Sequence, residues 1–255
     1  FVKSDFRLNK LFNGNYDKNK IIIGNSRSFS IIFNTTDKKN IIFSYNKMTY
    51  EETLLFLSAI EDKKDNPKVF LEITSLQDDN FNCAYHTFVS HKYFDETLLK
   101  EKCTLEYYLS KYMPIHRLNS ELFYRTLYFN FSKNDQKFIY NINNMELICE
   151  NNKLGIYDII LKNKDNRQKL FNRIEKLKKR FSNIDLNFFI LPYFNASNSL
   201  IKDFEKYIHN KFLKNVILIN NSMPADFYDD CQNFNDNIHL SKIGILKIGF
   251  EKYIK

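Results

Sequence analysis

Five short stretches of this chain are apolar almost without interruption: Ile21–Ile23, Ile41–Tyr45, Val69–Ile73, Phe188–Leu191 and Val216–Ile219. A strand with one wet face alternates apolar and polar residues, whereas a parallel strand covered on both faces does not. Between these runs the apolar spacing becomes helical. Thr49-Tyr50-Glu51-Glu52 fits a capping box, with Leu54, Leu55 and Leu57 behind it. Leu170, Phe171, Ile174, Leu177 and Phe181 form one stripe after Asp165, and Leu200, Ile201, Phe204, Ile208 and Phe212 form a second. A last helix is predicted from Ser241 to near Ile254. Strands alternating with helices predict an α/β fold, a central mainly parallel sheet with helices on both faces.

Residues 81–164 break this rhythm. They are aromatic and mixed, with helical patterns around Asp95–Tyr112 and Ser120–Phe131. They are expected to be a helical, aromatic insertion into one domain spanning residues 1–255.

A chain of 255 residues can bury a sizeable core, and 44% hydrophobic with 27% charged residues marks it as folded rather than disordered. No apolar run reaches the roughly 18 residues of a membrane span. The net charge of +8 comes from lysines scattered among acidic residues, so no nucleic-acid partner is expected. The one dense basic run, Lys176 to Arg180, falls on the solvent face of a predicted helix. Cys83, Cys103, Cys149 and Cys231 form no CxxC pair, which excludes zinc spacing and leaves disulfides and buried thiols both open. The chain begins at Phe1 with no leader pattern, so it is expected to be a mature or truncated form from which an upstream signal or anchor was removed.

The chain has five glycines, and one of them ends the first apolar run, in Ile21-Ile22-Ile23-Gly24-Asn25-Ser26-Arg27-Ser28. Ligands of open α/β sheets bind beyond the carboxyl ends of the strands. Ser26 would stand there, at the start of a helix whose unpaired N–H groups favour a developing negative charge. Gly-Asn-Ser is also a common turn, and serine a common cap. Arg27 and Ser28 could bind substrate, but the favoured expectation is that Arg27 pairs locally and Ser28 stabilises the first turn. A serine nucleophile needs a base, and the base an orienting carboxylate. Near the other end, Asp236-Asn237-Ile238-His239 supplies both just before the final helix. His86, His91, His116 and His209 lack a carboxylate at such spacing and are assigned surface or packing roles.

Together, Ile21 to Ser28 and Asp236 to Gly244 resemble the two end motifs of the SGNH/GDSL hydrolase superfamily, with Asn25 in place of its aspartate. The resemblance follows the element order from about 20 to 254. It implies a flavodoxin-like three-layer sandwich and a catalytic triad in which His239 is base toward Ser26 and Asp236 orients the imidazole. The family's glycine donor aligns with Lys47, beside Asn46, after the second strand; the third strand ends without the family's Gly-x-Asn-Asp block, which leaves Thr74, Ser75 or Gln77 as candidate donors in place of its asparagine. The Gly-Asn-Ser-Arg-Ser block and the insertion look like the bacterial, envelope-associated branch that adds or removes acetyl groups on polysaccharides. That branch implies an O-acetyl esterase or O-acetyltransferase acting on a glycan or an acylated small molecule, with no metal or cofactor. It also implies an extracytoplasmic site, periplasmic or at the cell surface, with a membrane anchor upstream. The alternative is a catalytically impaired module of the same fold that binds glycans or assists assembly.

Overall fold

The computed structural model describes residues 20–33, 41–44, 48–61, 67–77, 83, 96–112, 163–194, 198–212, 215–236 and 239–254. Four strands form one parallel sheet: β1 (Ile21–Gly24), β2 (Ile41–Ser44), β3 (Lys68–Glu72) and β4 (Asp185–Phe189), in the order β2-β1-β3-β4. Helices connect them, so the architecture is α/β. Ile21, Ile22, Ile23, Val69, Phe70 and Leu71 are all buried, as continuous apolar runs in a parallel sheet require. The chain leaves β1 for β2 on one side and reaches β3 on the other. A crevice between the carboxyl ends of β1 and β3 is the expected result of that switch.

Helix α1 (Tyr50–Glu61) starts on the capping box read from the sequence. The Thr49 N–H donates to Glu52 Oε2 at 2.8 Å, and the Glu52 N–H donates back to Thr49 Oγ1 at 3.2 Å. Thr49 is fully buried, so removing its hydroxyl orphans a donor that water cannot reach. Thr49→Ala is expected to cost about 1 kcal/mol in a urea titration, the usual worth of an N-cap.

The pattern at Asp95–Tyr112 resolves into two helices, α2 (Glu96–Lys102) and α3 (Thr104–Tyr112). Cys103 sits between them and is disulfide-bonded to Cys83. Cys231 is disulfide-bonded too, so no described cysteine is a free thiol. The helix expected at Ser120–Phe131 lies outside the described residues.

Helix α4 (Lys164–Arg180) is capped by Asn163 and buries Leu170, Phe171, Ile174 and Leu177. Helix α5 (Asn198–Phe212) buries Ile201, Phe204 and Ile208. The predicted stripes are the buried faces. No described helix is long and apolar enough to cross a membrane.

Several boundaries differ from expectation: the third strand runs Lys68–Glu72, not Val69–Ile73, because Ile73 opens a 3-10 helix. The fourth strand runs Asp185–Phe189, not Phe188–Leu191, because Lys68 pairs with Asp185 and the pairing ends at Glu72 with Phe189. Ile190 and Leu191 continue past the end of β3. The run Val216–Ile219 makes a single parallel bridge, Phe188 to Val216, rather than a fifth strand. Buried Glu205 on α5 accepts the backbone N–H groups of Asn220 and Asn221, at 3.1 and 2.9 Å, and turns the chain into a 3-10 helix at Asn220–Ser222. The last helix, α6, is Lys242–Ile248 and stops where Gly249 turns left-handed at φ 61°. Ser241 caps it by accepting the Gly244 N–H at 3.0 Å.

Candidate active site

Gly24 closes β1, and the next residues form a 3-10 helix, Ser26–Phe33, that folds back over the strand end. A Cβ on Gly24 would stand 2.1 Å from Ser28 Oγ and 2.9 Å from Glu72 Cβ. The residue is glycine because of this close approach, since its φ is not positive. Asn25 sets the turn. Its Oδ1 accepts the Arg27 N–H at 3.0 Å, its carbonyl accepts the Ser28 N–H at 3.1 Å, and its Nδ2 donates to Thr74 Oγ1 at 3.0 Å. An amide can both give and accept in this way. An aspartate could not donate to Thr74 and would add a second carboxylate beside buried Glu72.

The loop carrying Asp236 and His239 is pinned at its base. Phe234 and Leu240 form an antiparallel bridge, and the Asn235 N–H donates to the His239 carbonyl at 2.8 Å. Asp236 Oδ1 accepts the His239 N–H at 2.8 Å, and its Oδ2 lies 2.7 Å from His239 Nδ1. His239 Nε2 lies 2.9 Å from Ser26 Oγ. An ionised carboxylate only accepts, which assigns the proton to Nδ1 and leaves Nε2 to accept from the Ser26 hydroxyl. His239 and Asp236 remain about 30% exposed, at 29% and 31%, so the relay opens to solvent.

Helix α6 packs on the Ser26–Phe33 turn and carries the loop with it. Gly244 makes that seat possible, since a Cβ there would fall 2.0 Å from the Asn233 carbonyl oxygen. That carbonyl also holds the Ser241 N–H at 2.9 Å. Backbone cannot step aside as a side chain can. Gly244→Ala is expected to destabilise the fold by about 3 kcal/mol and to displace His239. Thermal melting reads the first effect, and loss of the imidazole N–H signal bound to Asp236 reads the second.

Sequence reasoning placed Arg27 in a local pair, and the structure corrects this. Arg27 is 1% exposed, and its Nη1 lies 3.3 Å from Oε1 of Glu72, the fully buried last residue of β3. Burial holds the Glu72 carboxyl above its ordinary range, and Arg27, then Thr74, pull it back part of the way. Glu72 was not singled out in the sequence. Its one signal is a charge inside the apolar run Val69-Phe70-Leu71-Glu72-Ile73.

The other residues named from sequence divide three ways. Thr74 Oγ1 donates to Glu72 Oε2 while accepting from Asn25, so its proton is engaged. Ser75 Oγ donates to the Glu72 carbonyl at 2.7 Å. The Gln77 amide nitrogen is buried and has no hydrogen-bond partner among the described residues, and the same holds for Ser28 Oγ. Asn46 and Lys47 lie outside the described residues. His209 Nδ1 lies 3.2 Å from the Val216 carbonyl, a packing role, and His86, His91 and His116 lie outside the described residues.

Among the described residues no three His, Cys, Asp or Glu side chains converge as a metal site would need. A cavity of about 350 Å³ lies at the amino end of the edge strand β4, lined by Lys178, Asp185 and Asn215 among others, whereas Ser26 follows the carboxyl end of β1. The chain matches no family model, and no curated protein is significantly similar to it.

Proposed function

We propose that Ser26, His239 and Asp236 are the catalytic triad of a serine-dependent acyl-ester enzyme with an SGNH-hydrolase-like three-layer fold. One observation carries the reading: an unbroken relay from Ser26 Oγ through both ring nitrogens of His239 to Asp236, at 2.9 and 2.7 Å. A chance serine turn has no reason to meet an oriented imidazole from 213 positions away.

In the reaction, Ser26 Oγ attacks the ester carbonyl carbon as His239 Nε2 takes the hydroxyl proton. The carbonyl π electrons move to oxygen, and the backbone N–H of Ser26, at the free start of the 3-10 helix, is the first donor to that oxyanion. Collapse expels the alcohol, which leaves with the proton from His239. Water or a sugar hydroxyl then gives its proton to Nε2 and attacks the acyl-enzyme, restoring Ser26. Water makes the protein an O-acetyl esterase, and a sugar hydroxyl makes it an O-acetyltransferase.

The proposed substrate is a cell-envelope polysaccharide or another acylated glycan. The Cys83–Cys103 disulfide supports an oxidising, extracytoplasmic site of action. A second reading is a binding or assembly module that keeps the fold without the chemistry. The engaged hydroxyls of Thr74 and Ser75 favour it, because neither proton is free for an oxyanion.

Fluorophosphonate labelling followed by peptide mass spectrometry separates the two. Labelling confined to Ser26 and absent from His239→Ala is the expected result. A folded wild-type protein that takes no label sinks the enzyme reading and leaves the module.

A further inference from the structure

Arg27 is charged, buried and adjacent to Ser26, yet the Ser26–His239–Asp236 relay makes no use of it. Its guanidinium faces two segments at once. Nη1 donates to Glu72 Oε1 at 3.3 Å and to Thr74 Oγ1 at 3.4 Å, at the carboxyl end of β3. Nη2 donates to the carbonyls of Leu191 and, at 3.1 Å, Pro192, just beyond β4. The Tyr193 ring centroid lies 5.5 Å from the guanidinium carbon. One side chain therefore ties the turn after β1 to the ends of β3 and β4. Only a rigid planar fork spans both sets of acceptors, and a lysine ammonium is a single point.

Stability alone does not account for this choice. A buried ion pair holds a fold no better than apolar residues of the same volume, and often less well. What the fork adds is geometry. The Arg27 backbone is one peptide from the Ser26 hydroxyl, and that hydroxyl must meet His239 Nε2 at 2.9 Å. We infer that Arg27 is a positioning residue for Ser26, its guanidinium clamped between Glu72 and the Leu191–Pro192 carbonyls so that the turn aims Oγ at the imidazole. The inference rests on the reading of Ser26 as nucleophile. A displacement of about 1 Å at a reacting atom costs about 100-fold in rate. Loosening the clamp acts on that distance.

The test compares wild type, Arg27→Lys and the double variant Arg27→Met/Glu72→Met. Each is measured for thermal melting, for the rate of fluorophosphonate labelling at Ser26, and for kcat and KM on p-nitrophenyl acetate. The double variant strands no charge but takes the partners from the Leu191 and Pro192 carbonyls and the acceptor from the Thr74 hydroxyl, so it should melt below wild type and above Arg27→Met alone, and it is assayed where it is still folded. It should nonetheless label about 100-fold more slowly, with the loss in kcat and KM unchanged. Arg27→Lys should lose rate in the same way. A folded double variant that labels at the wild-type rate overturns the inference and reduces Arg27 to packing. If the double variant does not fold, Arg27→Lys, rated per folded molecule, gives the same decision. A wild type that takes no label is a separate outcome: it removes the nucleophile, and the clamp with it.

Discussion

Ser26→Ala is expected to lower p-nitrophenyl acetate turnover by about 10⁴-fold or more, the scale on which triads lose activity when the nucleophile goes. His239→Ala should fall to the same floor, and the double variant no further. In the proposed triad the side chains act as one unit, so removing the nucleophile or the base alone takes nearly the whole effect. Asp236→Asn should come close to that floor without altering the melting temperature much. Its amide would offer an N–H to His239 Nδ1, in place of the carboxylate now 2.7 Å away. The ring would then carry its proton on Nε2 and could not accept from Ser26. Steady-state kinetics on titrated protein checks the series. A Ser26→Ala protein with wild-type turnover would show that the chemistry happens elsewhere.

The largest stability effect is expected from Arg27→Met alone, about 3–5 kcal/mol, because it strands a buried carboxylate. Around Glu72 the neighbours donate: Arg27, the Thr74 hydroxyl, and the backbone N–H groups of Leu191 and Ser75. That arrangement suits an ionised acid. Without Arg27, the burial that already raises the carboxyl meets less opposition, and the folded state binds its proton more tightly than the unfolded chain does. The folded value then lies above the unfolded one. The variant is therefore relatively most stable below the unfolded carboxylate range, near pH 4, and loses that stability as pH rises through the raised folded value. Urea midpoints near pH 4.5 and pH 7.5 should differ more for the variant than for the parent. Equal differences would mean that Glu72 does not titrate in the fold.

Local rules were legible in the residues that state them. Ile21–Ile23 is a buried strand because nothing in it could face water, and Thr49 and Glu52 cap a helix because their spacing closes both hydrogen bonds. Gly24, Ser26, Asp236 and His239 could be picked out because each sits at a chain reversal where residue type is constrained. What was not legible depends on partners far away. Arg27 meets Glu72 across 45 positions, and no local pattern around either names the other. Val216–Ile219 has every mark of a strand, but Glu205, from an earlier helix, claims the backbone that follows it. Gly249 was visible in the sequence and still underread, since a helix periodicity can run on past the residue that ends it. Cys83 and Cys103 could be paired only once the fold had placed their Cα atoms 5.4 Å apart.

The separation of 213 positions between Ser26 and His239 also sets an order of events during synthesis. A ribosome adding about 5–20 residues per second delivers the imidazole on the order of ten to forty seconds after the serine. Through that interval the growing chain carries a hydroxyl with no base beside it. The hydrogen bond between them cannot form until the loop before α6 has been made. On the proposed reading, a polypeptide that lacks the loop before α6 has no base for Ser26, however well its sheet has formed.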